Sequence, residues 1–349
     1  MASVPTHLEK DALPEFLFNE GFQRMSQGKV RNTYTLNEKY LLVVATDRVS
    51  IFDFVLGNPV PNKGEVLTAL THFWLTKILP EFRNHLISSA INHKFNAAYD
   101  MRASFYPDLS IERCLIVRNM KNDLYPFEMI YRHHIGGSIF KSYQKTGIVS
   151  GVKIEANLPK WSKLRKPLFT PSTKEEIGHD INVNAQYFFD EMSKQGKNDE
   201  AVTVFKMLSD AYAKAYSYAE EKGILILDTK FEVAGKMIVD EILTPDSSRF
   251  VLKDDWEKAM EEGRDPYFYD KQLVRDWGAK VPTNFFDDKG EKIVGINKLD
   301  PKNPDHVNFV HNLKIPYEII KETTRRYLKI FELLTGKTLE EYQRNDMGV

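Results

Sequence analysis

The chain has little of several features that would narrow its class at once. Its 349 residues include one cysteine, Cys114, so an intrachain disulfide or a zinc site built from several cysteines is impossible. The formal net charge is −1, without the basic excess that nucleic-acid-binding proteins usually carry. Apolar runs such as Tyr40–Ala45 are far too short to span a bilayer. We therefore expect neither a nucleic-acid partner nor a membrane partner.

The N-terminal stretch MASVPTHLEKDALPEF also lacks the basic-then-apolar pattern of a signal peptide. Hydrophobic residues make up 42% of the chain and charged residues 28%, which is an ordinary balance for a globular protein. The length is enough for two domains. We expect a cytoplasmic protein of two domains, and the sequence leaves the oligomeric state open.

Strand patterns cluster early and long helical patterns come later, which indicates an α+β fold. Strands are predicted near Val30–Leu36 and Tyr40–Thr46, and a long helix is predicted to stop at Gly223. A polar stretch, Lys121–Pro126, separates two further strands, and we place the domain boundary there. This gives a β-rich nucleotide-binding domain at 1–120 and a domain with metal and substrate sites at 121–349. Residues 150–184 are predicted to be irregular, and a loop is predicted beyond Pro282.

The segment ILILDTKFEVAGKMIVDEILTPDSSRF carries charges inside a hairpin whose flanks are apolar. Asp228, Lys230 and Glu232 occupy alternate positions and so share one strand face. A solvated face with cross-strand ion pairs is the ordinary explanation of such a pattern. However, the partner strand also carries Asp240, and two carboxylates that face one point repel each other unless a cation lies between them. Mg²⁺ is held by one or two carboxylates plus phosphates, so Glu232 and Asp240 predict a magnesium site, with Lys230 against the same phosphates.

Three further clusters combine basic residues with glycine or hydroxyl side chains. In GKVRNTY, Gly28, Lys29 and Arg31 enter a strand, where backbone amides and a cation can cover phosphates. This is not a Walker A loop, and a surface turn explains the pattern equally well. In TPDSSRF, Arg249 is a fork for a carboxylate or phosphate, while Ser247 and the aspartate before it are also suited to capping the turn.

In YRHHIGGSIFK, Arg132 lies at a strand end and Ser138 opens a helix whose N-terminus can bind an anion. The adjacent His133 and His134 point to opposite strand faces and make a poor metal pair. In YDKQLVRDW, Lys271 and Arg275 lie four apart on one helical face, which is compatible with substrate binding or with an ordinary solvated face.

Taken together, several motifs make the chain resemble the SAICAR synthetase family. They are GKVRNTY, ATDRVSIFDFVL, PVPNKGEVLT, FTPSTKEEIGHDIN, ILDTKFE, VDEILTPDSSRF and DKQLVRDW, in family order over residues from about 20 to 340. The resemblance implies an N-terminal antiparallel β lobe and an ATP-grasp-like C-terminal lobe with ATP in the cleft between them. It also implies the reaction ATP + CAIR + L-aspartate → SAICAR + ADP + phosphate with Mg²⁺, where CAIR is 5-amino-1-(5-phospho-ribosyl)imidazole-4-carboxylate.

The resemblance also implies roles for individual residues. Those expected to contact ATP are Gly28, Lys29, Arg31, Lys174 and Lys230. Glu232 and Asp240 are expected to hold Mg²⁺ and, with Lys230, to carry the chemistry. Those expected to bind CAIR are Arg132, Ser138, Asp246, Ser247, Arg249, Lys271 and Arg275, and His179 and Asp180 are expected to help place aspartate.

Some positions depart from the family pattern. Arg132 is commonly followed by Gly-Tyr in the family, whereas this chain has His133 and His134. The segment GHDIN has Ile181 where an acid is more usual, which affects contacts near the expected aspartate pocket.

Two other functions fit the same charged hairpin. A kinase-type phosphotransferase would use similar magnesium carboxylates, but the chain contains neither H-R-D nor D-F-G. A nucleotide-binding regulatory module without catalysis has no need of Lys230, Glu232 and Asp240 together. The ligase is therefore the favoured interpretation.

Overall fold

The protein is described here from a computed structural model, over residues 23–89, 111–174 and 181–349. Within these ranges no helix has both the length and the apolar character that crossing a membrane requires. The strands are β1 Gln23–Gln27, β2 Arg31–Thr35, β3 Tyr40–Ala45, β4 Ser50–Ile51, β5 Phe54–Val55, β6 Leu86–Ser88, β7 Cys114–Arg118, β8 Phe127–His134, β9 Ile148–Val149, β10 Val152–Lys153, β11 Lys163–Phe169, β12 Ser172–Thr173, β13 Ile224–Ala234, β14 Met237–Val239, β15 Ser248–Leu252, β16 Pro282–Phe286 and β17 Lys292–Val294.

The helices are α1 Lys63–Phe73, α2 Ser138–Thr146, α3 Ala185–Lys194, α4 Asn198–Glu221, α5 Lys253–Glu262, α6 Gln272–Gly278, α7 Pro304–Asn312, α8 Tyr317–Thr335 and α9 Leu339–Tyr342. Short 3₁₀ turns lie at Ile111–Arg113, Lys121–Asp123 and Ile296–Lys298, and π-helical turns lie at Trp74–Ile78 and Gln343–Met347. The α+β class expected from the sequence is confirmed, because the strands pair in antiparallel sheets and are not interleaved one by one with helices.

Contacts divide the described residues into two units. The first contains residues 23–72, 86–89, 111–119 and 270–349. Its antiparallel sheet has the order β1-β2-β3-β7-β6. This grouping differs from the sequence-based boundary, which assigns residues 121–349 to one domain. The physical reason is a shared apolar core, in which buried Val274 and Ile296 pack in one cluster with Val49 and Phe54.

The second unit contains residues 73–85, 120–174 and 181–269. Its six-stranded sheet follows the path β11-β8-β13-β14, with β12 added to β8 and β15 to β13. Helix α4 covers this sheet with buried positions three or four residues apart, including Val204, Leu208 and Ala211. The Tyr212 hydroxyl donates a hydrogen bond to the Ile226 carbonyl of β13 at 3.1 Å. The central strand is thereby held from one side by a helix.

Several expected elements are confirmed and two are not. The strands predicted at 30–36 and 40–46 correspond to β2 and β3, and Gly223 ends the long helix with a positive φ of 72°. Residues 150–184 are predicted to be irregular, which is wrong at 163–169, because β11 pairs there with β8 through Leu168 opposite Arg132. The lysines, the arginine and Pro167 of β11 are untypical of a strand, so the sequence pattern does not predict one. The segment is nevertheless a strand, because its neighbour β8 supplies the hydrogen-bonding partners. Beyond Pro282 the predicted loop is the β16–β17 hairpin.

Candidate active site

Strand β13 carries the charged face that the sequence singled out. It pairs with β8 along one edge, and with β15 and then β14 along the other. The side chains of Asp228, Lys230 and Glu232 are 8%, 25% and 12% exposed. A solvated ribbon would expose these charges to water, so this low exposure excludes that explanation. The face is an enclosed ionic site.

Lys230 is the centre of one cluster on this face. Its Nζ lies 2.9 Å from Glu232 Oε1 and 3.0 Å from Glu128 Oε1, a residue of β8. Burial by itself would lower the pKa of the Lys230 ammonium, but Glu232, Glu128 and Asp240 together raise it well above its ordinary value. Lys230 therefore stays protonated and remains a fixed positive charge in the site.

The Glu232 carboxylate accepts hydrogen bonds from two lysine ammonium groups. Its Oε1 is bound by Lys230, and its Oε2 is bound by the Lys174 ammonium. Burial opposes ionisation, but the charges of Lys230 and Lys174 hold the pKa of Glu232 well below its usual range. The site therefore contains an ionised carboxylate with two lysines directly on it. Lys174 enters from just after β12, so the resemblance-based residues Lys174, Lys230 and Glu232 do come together.

Asp240 joins the cluster differently from what the sequence predicted. The residue opposite Glu232 in the β13–β14 register is Val239, so Glu232 and Asp240 are not a facing pair. Strand β14 ends at Val239, and the chain turns there because Asp240 has a positive φ of 64°. Aspartate tolerates this conformation better than most residues do. The carboxylate still acts on Lys230 electrostatically.

The donor set is compatible with a single magnesium ion bound together with phosphates. Within residues 23–89, 111–174 and 181–349, no three His, Cys, Asp or Glu side chains form a ready-made metal cluster. Magnesium does not need one, since one or two carboxylates usually suffice when substrate phosphates complete its octahedron. Glu232 is ionised, and Asp240 lies close enough to influence the same lysine.

The second cluster on β13 joins Asp228 to two arginines. Asp228 lies opposite Arg132 of β8 and opposite Arg249 of β15 in the strand register. Arg132 Nη1 donates to Asp228 Oδ2 at 2.7 Å, and Arg249 Nη1 donates to both Asp228 oxygens at 2.9 and 2.6 Å. Arg132 Nε also donates to Thr170 Oγ1 at 2.9 Å. One carboxylate faces two guanidinium groups, so the cluster has an excess positive charge that attracts an anion.

The first turn of α2 lies beside this cluster. Gly137, which has a φ of 60°, precedes the helix, and Ser138 is its exposed first residue. A Cβ built on Gly137 would lie 3.2 Å from Arg249 Cζ, a tight contact, and the positive φ at this position also favours glycine. A helix N-terminus next to an arginine is a favourable place for a phosphate or carboxylate.

The turn before β15 is held by its own side chains. Ser247 Oγ accepts from the Thr244 N–H at 3.1 Å, and the Asp246 N–H donates to Thr244 Oγ1 at 3.2 Å. The Ser247 carbonyl accepts the Lys230 N–H at 3.0 Å, which ties the turn to β13. The Ser247 hydroxyl therefore caps the turn, and a substrate contact of Ser247 or Asp246 stays a prediction.

His133 and His134 face opposite sides of β8, as predicted. His133 packs against Tyr216 of α4 with ring centroids 4.2 Å apart, and His134 packs against Trp256 of α5 at 5.3 Å. Burial lowers the pKa of His134 to about 3 and that of His133 to about 4. Both rings are therefore neutral packing groups at neutral pH.

The glycine loop belongs to the first unit. It is the tight turn between β1 and β2, in which the Gly28 N–H donates to the Arg31 carbonyl at 2.7 Å. Buried Arg48 donates to the Gly28 carbonyl at 2.9 Å and to the Lys29 carbonyl at 3.0 Å. The Lys29 ammonium is half-exposed and pairs with Asp53. Arg48 thus holds the backbone of the loop in place, and Asp53 holds the ammonium group of Lys29.

The remaining expected residues are placed as follows. Lys271 precedes α6, and its carbonyl accepts the Arg275 N–H at 3.1 Å. Both residues belong to the first unit. His179 and Asp180 lie outside the described residues. Ile181, which departs from the family pattern, is 59% exposed, and its carbonyl accepts the Thr173 N–H at 2.9 Å.

Sequence reasoning missed Glu128 and gave Asp228 no role. Glu128 is the acidic residue of the strand FEMIYRHH, and nothing in that strand indicates that Lys230 is its partner. A role for Asp228 could have been predicted, because it shares a strand face with Lys230. Its strand also lies between the strands of Arg132 and Arg249, the two arginines that were expected to bind substrate.

Comparison with known proteins gives consistent results. The sequence profile of the SAICAR synthetase family matches residues 24–291. A phosphoribosylaminoimidazole-succinocarboxamide synthase of Syntrophobacter fumaroxidans is 37% identical over 330 residues, covering 92% of this chain and 95% of that protein. The enzyme of the same name from Thermodesulfovibrio yellowstonii is 37% identical over 324 residues, covering 91% and 97%.

A solved structure agrees with these sequence relatives. The SAICAR synthase of Saccharomyces cerevisiae, in a complex with SAICAR, superposes with a TM-score of 0.68 at 32% identity, covering 91% of this chain and 96% of that one. Sequence and fold therefore agree over nearly the whole length of both proteins.

Proposed function

The chain belongs to the SAICAR synthetase family, and we propose that it condenses CAIR with L-aspartate in an ATP-dependent reaction that yields SAICAR, ADP and phosphate. It is an amide-forming carbon–nitrogen ligase of purine biosynthesis. A cytoplasmic location is part of the proposal, since the single cysteine excludes an intrachain disulfide.

The observation that carries the proposal is the pair of clusters on one strand. Asp228 with its two arginines and Glu232 with its two lysines lie four residues apart on β13, about 13 Å by the rise of a strand. The arginine cluster has the charge and geometry to bind an anionic substrate. The lysine–carboxylate cluster has the groups that bind a nucleoside triphosphate. One rigid strand therefore supports both reactants.

The chemistry requires activation of the CAIR carboxylate. A carboxylate is a poor electrophile because oxide is a poor leaving group. Transfer of the γ-phosphoryl group forms a bond from a carboxylate oxygen to phosphorus and breaks the bond to the β-phosphate oxygen, releasing ADP. The neutral aspartate amine then attacks the acyl carbon, the carbon–oxygen bond breaks, and the amine loses one proton, so that the amide forms and hydrogen phosphate is released. Positioning and neutralisation of charge supply most of the catalysis in such a transfer.

The lysine–carboxylate cluster has two roles in this proposal. Lys230 and Lys174 lie on Glu232 and contact the ATP phosphates when these bind. Glu232 and Asp240 hold Mg²⁺, which when bound neutralises charge on the phosphates. Gly28, Lys29 and Arg31, which lie outside this cluster, are also proposed to contact ATP.

The arginine cluster serves the second substrate. The residues proposed for CAIR are Arg132, Ser138, Asp246, Ser247, Arg249, Lys271 and Arg275. His179 and Asp180 are proposed for L-aspartate. Support comes from the excess positive charge around Asp228 and from the α2 N-terminus beside Arg249.

A coupled assay of ADP release tests the proposal against the phosphotransferase alternative. The purified protein is supplied with ATP and Mg²⁺, and then with CAIR, L-aspartate or both. Sustained ADP release that requires both substrates, with SAICAR detected by mass spectrometry, supports the ligase. Sustained release with CAIR alone, accompanied by a phosphorylated product, would instead identify a phosphotransferase.

A further inference from the structure

Trp161, in the segment between β10 and β11, has an unusual backbone conformation for its size. Its φ is 70°, a left-handed value that a bulky side chain rarely adopts, and the residue is only 3% exposed. Such a conformation persists only where surrounding contacts enforce it, and it is enriched at functional sites. The question is which group the strained residue serves.

The contacts of Trp161 hold the indole ring in one place. Its Nε1–H donates to Asp265 Oδ1 at 2.8 Å, and its backbone N–H donates to the Ile135 carbonyl at 2.7 Å. Its own carbonyl accepts from Trp256 Nε1 at 2.9 Å, and its ring packs edge-on against Phe268 at 5.1 Å. The backbone and ring are thus anchored at both ends, so the ring acts as a rigid surface.

That rigid surface contacts the arginine cluster. Arg249 Cζ lies 5.8 Å from the Trp161 ring centroid, within the range of a cation–π interaction. A Cβ on Gly136 would lie 2.0 Å from the ring, so the glycine pair before α2 is shaped around the indole. A Cβ on Gly137 would be equally distant, 3.2 Å, from Arg249 Cζ, Nη1 and Nη2, which means that the guanidinium lies face-on to Gly137.

An aromatic ring differs from a carboxylate in what it does to the arginine. A second carboxylate beside Arg249 would cancel the excess positive charge that Asp228 leaves in the cluster. A ring attracts and orients the guanidinium through its quadrupole but adds no negative charge. The ring therefore orients the arginine without reducing its charge.

We infer that Trp161 is a positioning residue, which holds the Arg249 guanidinium against the start of α2 so that both face an anionic group of the second substrate. The inference rests on the proposed function, because CAIR supplies the anion. It adds a residue from a segment that the sequence motifs do not cover.

The test compares substitutions that keep or remove the aromatic face. Trp161→Phe retains a ring, whereas Trp161→Leu retains an apolar side chain without one. We expect Trp161→Leu to raise the KM for CAIR about tenfold and Trp161→Phe to raise it less than about threefold, because a desolvated cation–π contact is worth roughly a factor of ten or more. The KM values for ATP and L-aspartate should stay within about twofold in both variants, because Arg249, against which the ring lies, is proposed to bind CAIR and neither of the other two substrates.

A matched control comes from the same segment. Asn157 also has a positive φ, 61°, but is exposed, so Asn157→Gly alters a left-handed position at the surface of the same segment. We expect this variant to behave as wild type. Equal CAIR KM values in the Phe and Leu variants, or a parallel rise in the KM for all three substrates, would overturn the inference.

A second measurement covers the case in which Trp161→Leu fails to fold. CAIR is titrated while tryptophan emission is followed in wild type and in Trp161→Phe. A change that is present in wild type and largely lost in the variant supports the inference, and an equal change in both overturns it. If the wild type itself releases no ADP with CAIR and L-aspartate, the proposed function fails instead, so the two failures are distinguishable.

Discussion

Asp228 and Arg249 lie opposite each other on neighbouring strands, with Arg249 Nη1 at 2.9 and 2.6 Å from the two carboxylate oxygens. On the other side of Asp228, Arg132 Nη1 donates a hydrogen bond of 2.7 Å to the same carboxylate. Asp228 is 5% exposed and Arg132 is 4% exposed, so these charges are largely removed from water. The carboxylate therefore fixes the separation of two guanidinium groups that would otherwise repel each other.

Asp228→Asn should weaken both CAIR binding and the fold. Removing one partner of a buried ion pair typically costs about 3–5 kcal/mol, because it leaves uncompensated buried charge. We expect a loss of that size in the free energy of unfolding measured with urea, together with a CAIR KM raised about tenfold or more. Asp190→Asn makes the same change at an exposed position on α3 and should alter neither quantity. An unchanged CAIR KM in Asp228→Asn would contradict the anchoring role.

Glu128→Gln should change the magnesium dependence of the reaction. Glu128 and Glu232 compete for Lys230, at 3.0 and 2.9 Å, so loss of the Glu128 charge leaves Lys230 wholly on Glu232. We expect the Mg²⁺ concentration for half-maximal activity to rise roughly tenfold, since a hydrogen bond to a charged group contributes about 1.5–3 kcal/mol. Glu191→Gln removes a surface partner of Lys194 and serves as the control. An unaltered magnesium requirement would show that Glu128 does not control access to Glu232.

Asp240→Asn should abolish turnover while the fold is retained. Asparagine tolerates the left-handed backbone at this position, so the substitution removes the charge without adding strain. Circular dichroism and the melting temperature should match wild type, while ADP release in the presence of both substrates should fall to background. Near-normal activity would refute the proposed metal role of Asp240.

The stabilising effect of Glu232 should depend on pH in the acid range. Because Lys230 and Lys174 hold the folded-state pKa of Glu232 below its unfolded value of about 4.3, ionised Glu232 stabilises the fold above that pH. This contribution is lost as the pH falls through the folded-state pKa. We expect the difference in free energy of unfolding between wild type and Glu232→Gln to be constant from pH 8 to about 5 and to shrink below about 4.3.

Urea unfolding at intervals of one pH unit measures this difference. Glu191→Gln, whose carboxylate lies on the surface, supplies the baseline for a change of the same type. A difference between wild type and Glu232→Gln that grows towards low pH would have the wrong sign for a carboxylate with a depressed pKa.

Much of the candidate site could be predicted because its residues are close in the chain. Alternation along β13 places Lys230 and Glu232 on one face, and their low exposure agrees with the apolar flanks that the sequence shows. The register could not be predicted equally well. Asp240 lies one residue beyond the partner of Glu232, because the backbone turns at a positive φ that no periodic pattern reveals.

Residues that are distant in the chain were harder to connect. The charged composition of β11 does not predict a strand, and the segment forms one because it pairs with β8. The segment 270–349 packs with the N-terminal residues because both contribute to one apolar core, which is a property of the folded chain.

The sequence by itself determined the family, the α+β class and the identity of the charged strand, because these depend on residue types and on the two-residue period of a strand. Only the tertiary structure decided that Glu128 shares Lys230, that Asp228 binds two arginines, and that Trp161 lies against Arg249. The residues that these contacts join are 21 to 102 positions apart in the chain. The shortest separation is that of Asp228 and Arg249, and the longest is that of Glu128 and Lys230. Distances of that kind are set by strand pairing and packing, which a linear pattern does not encode.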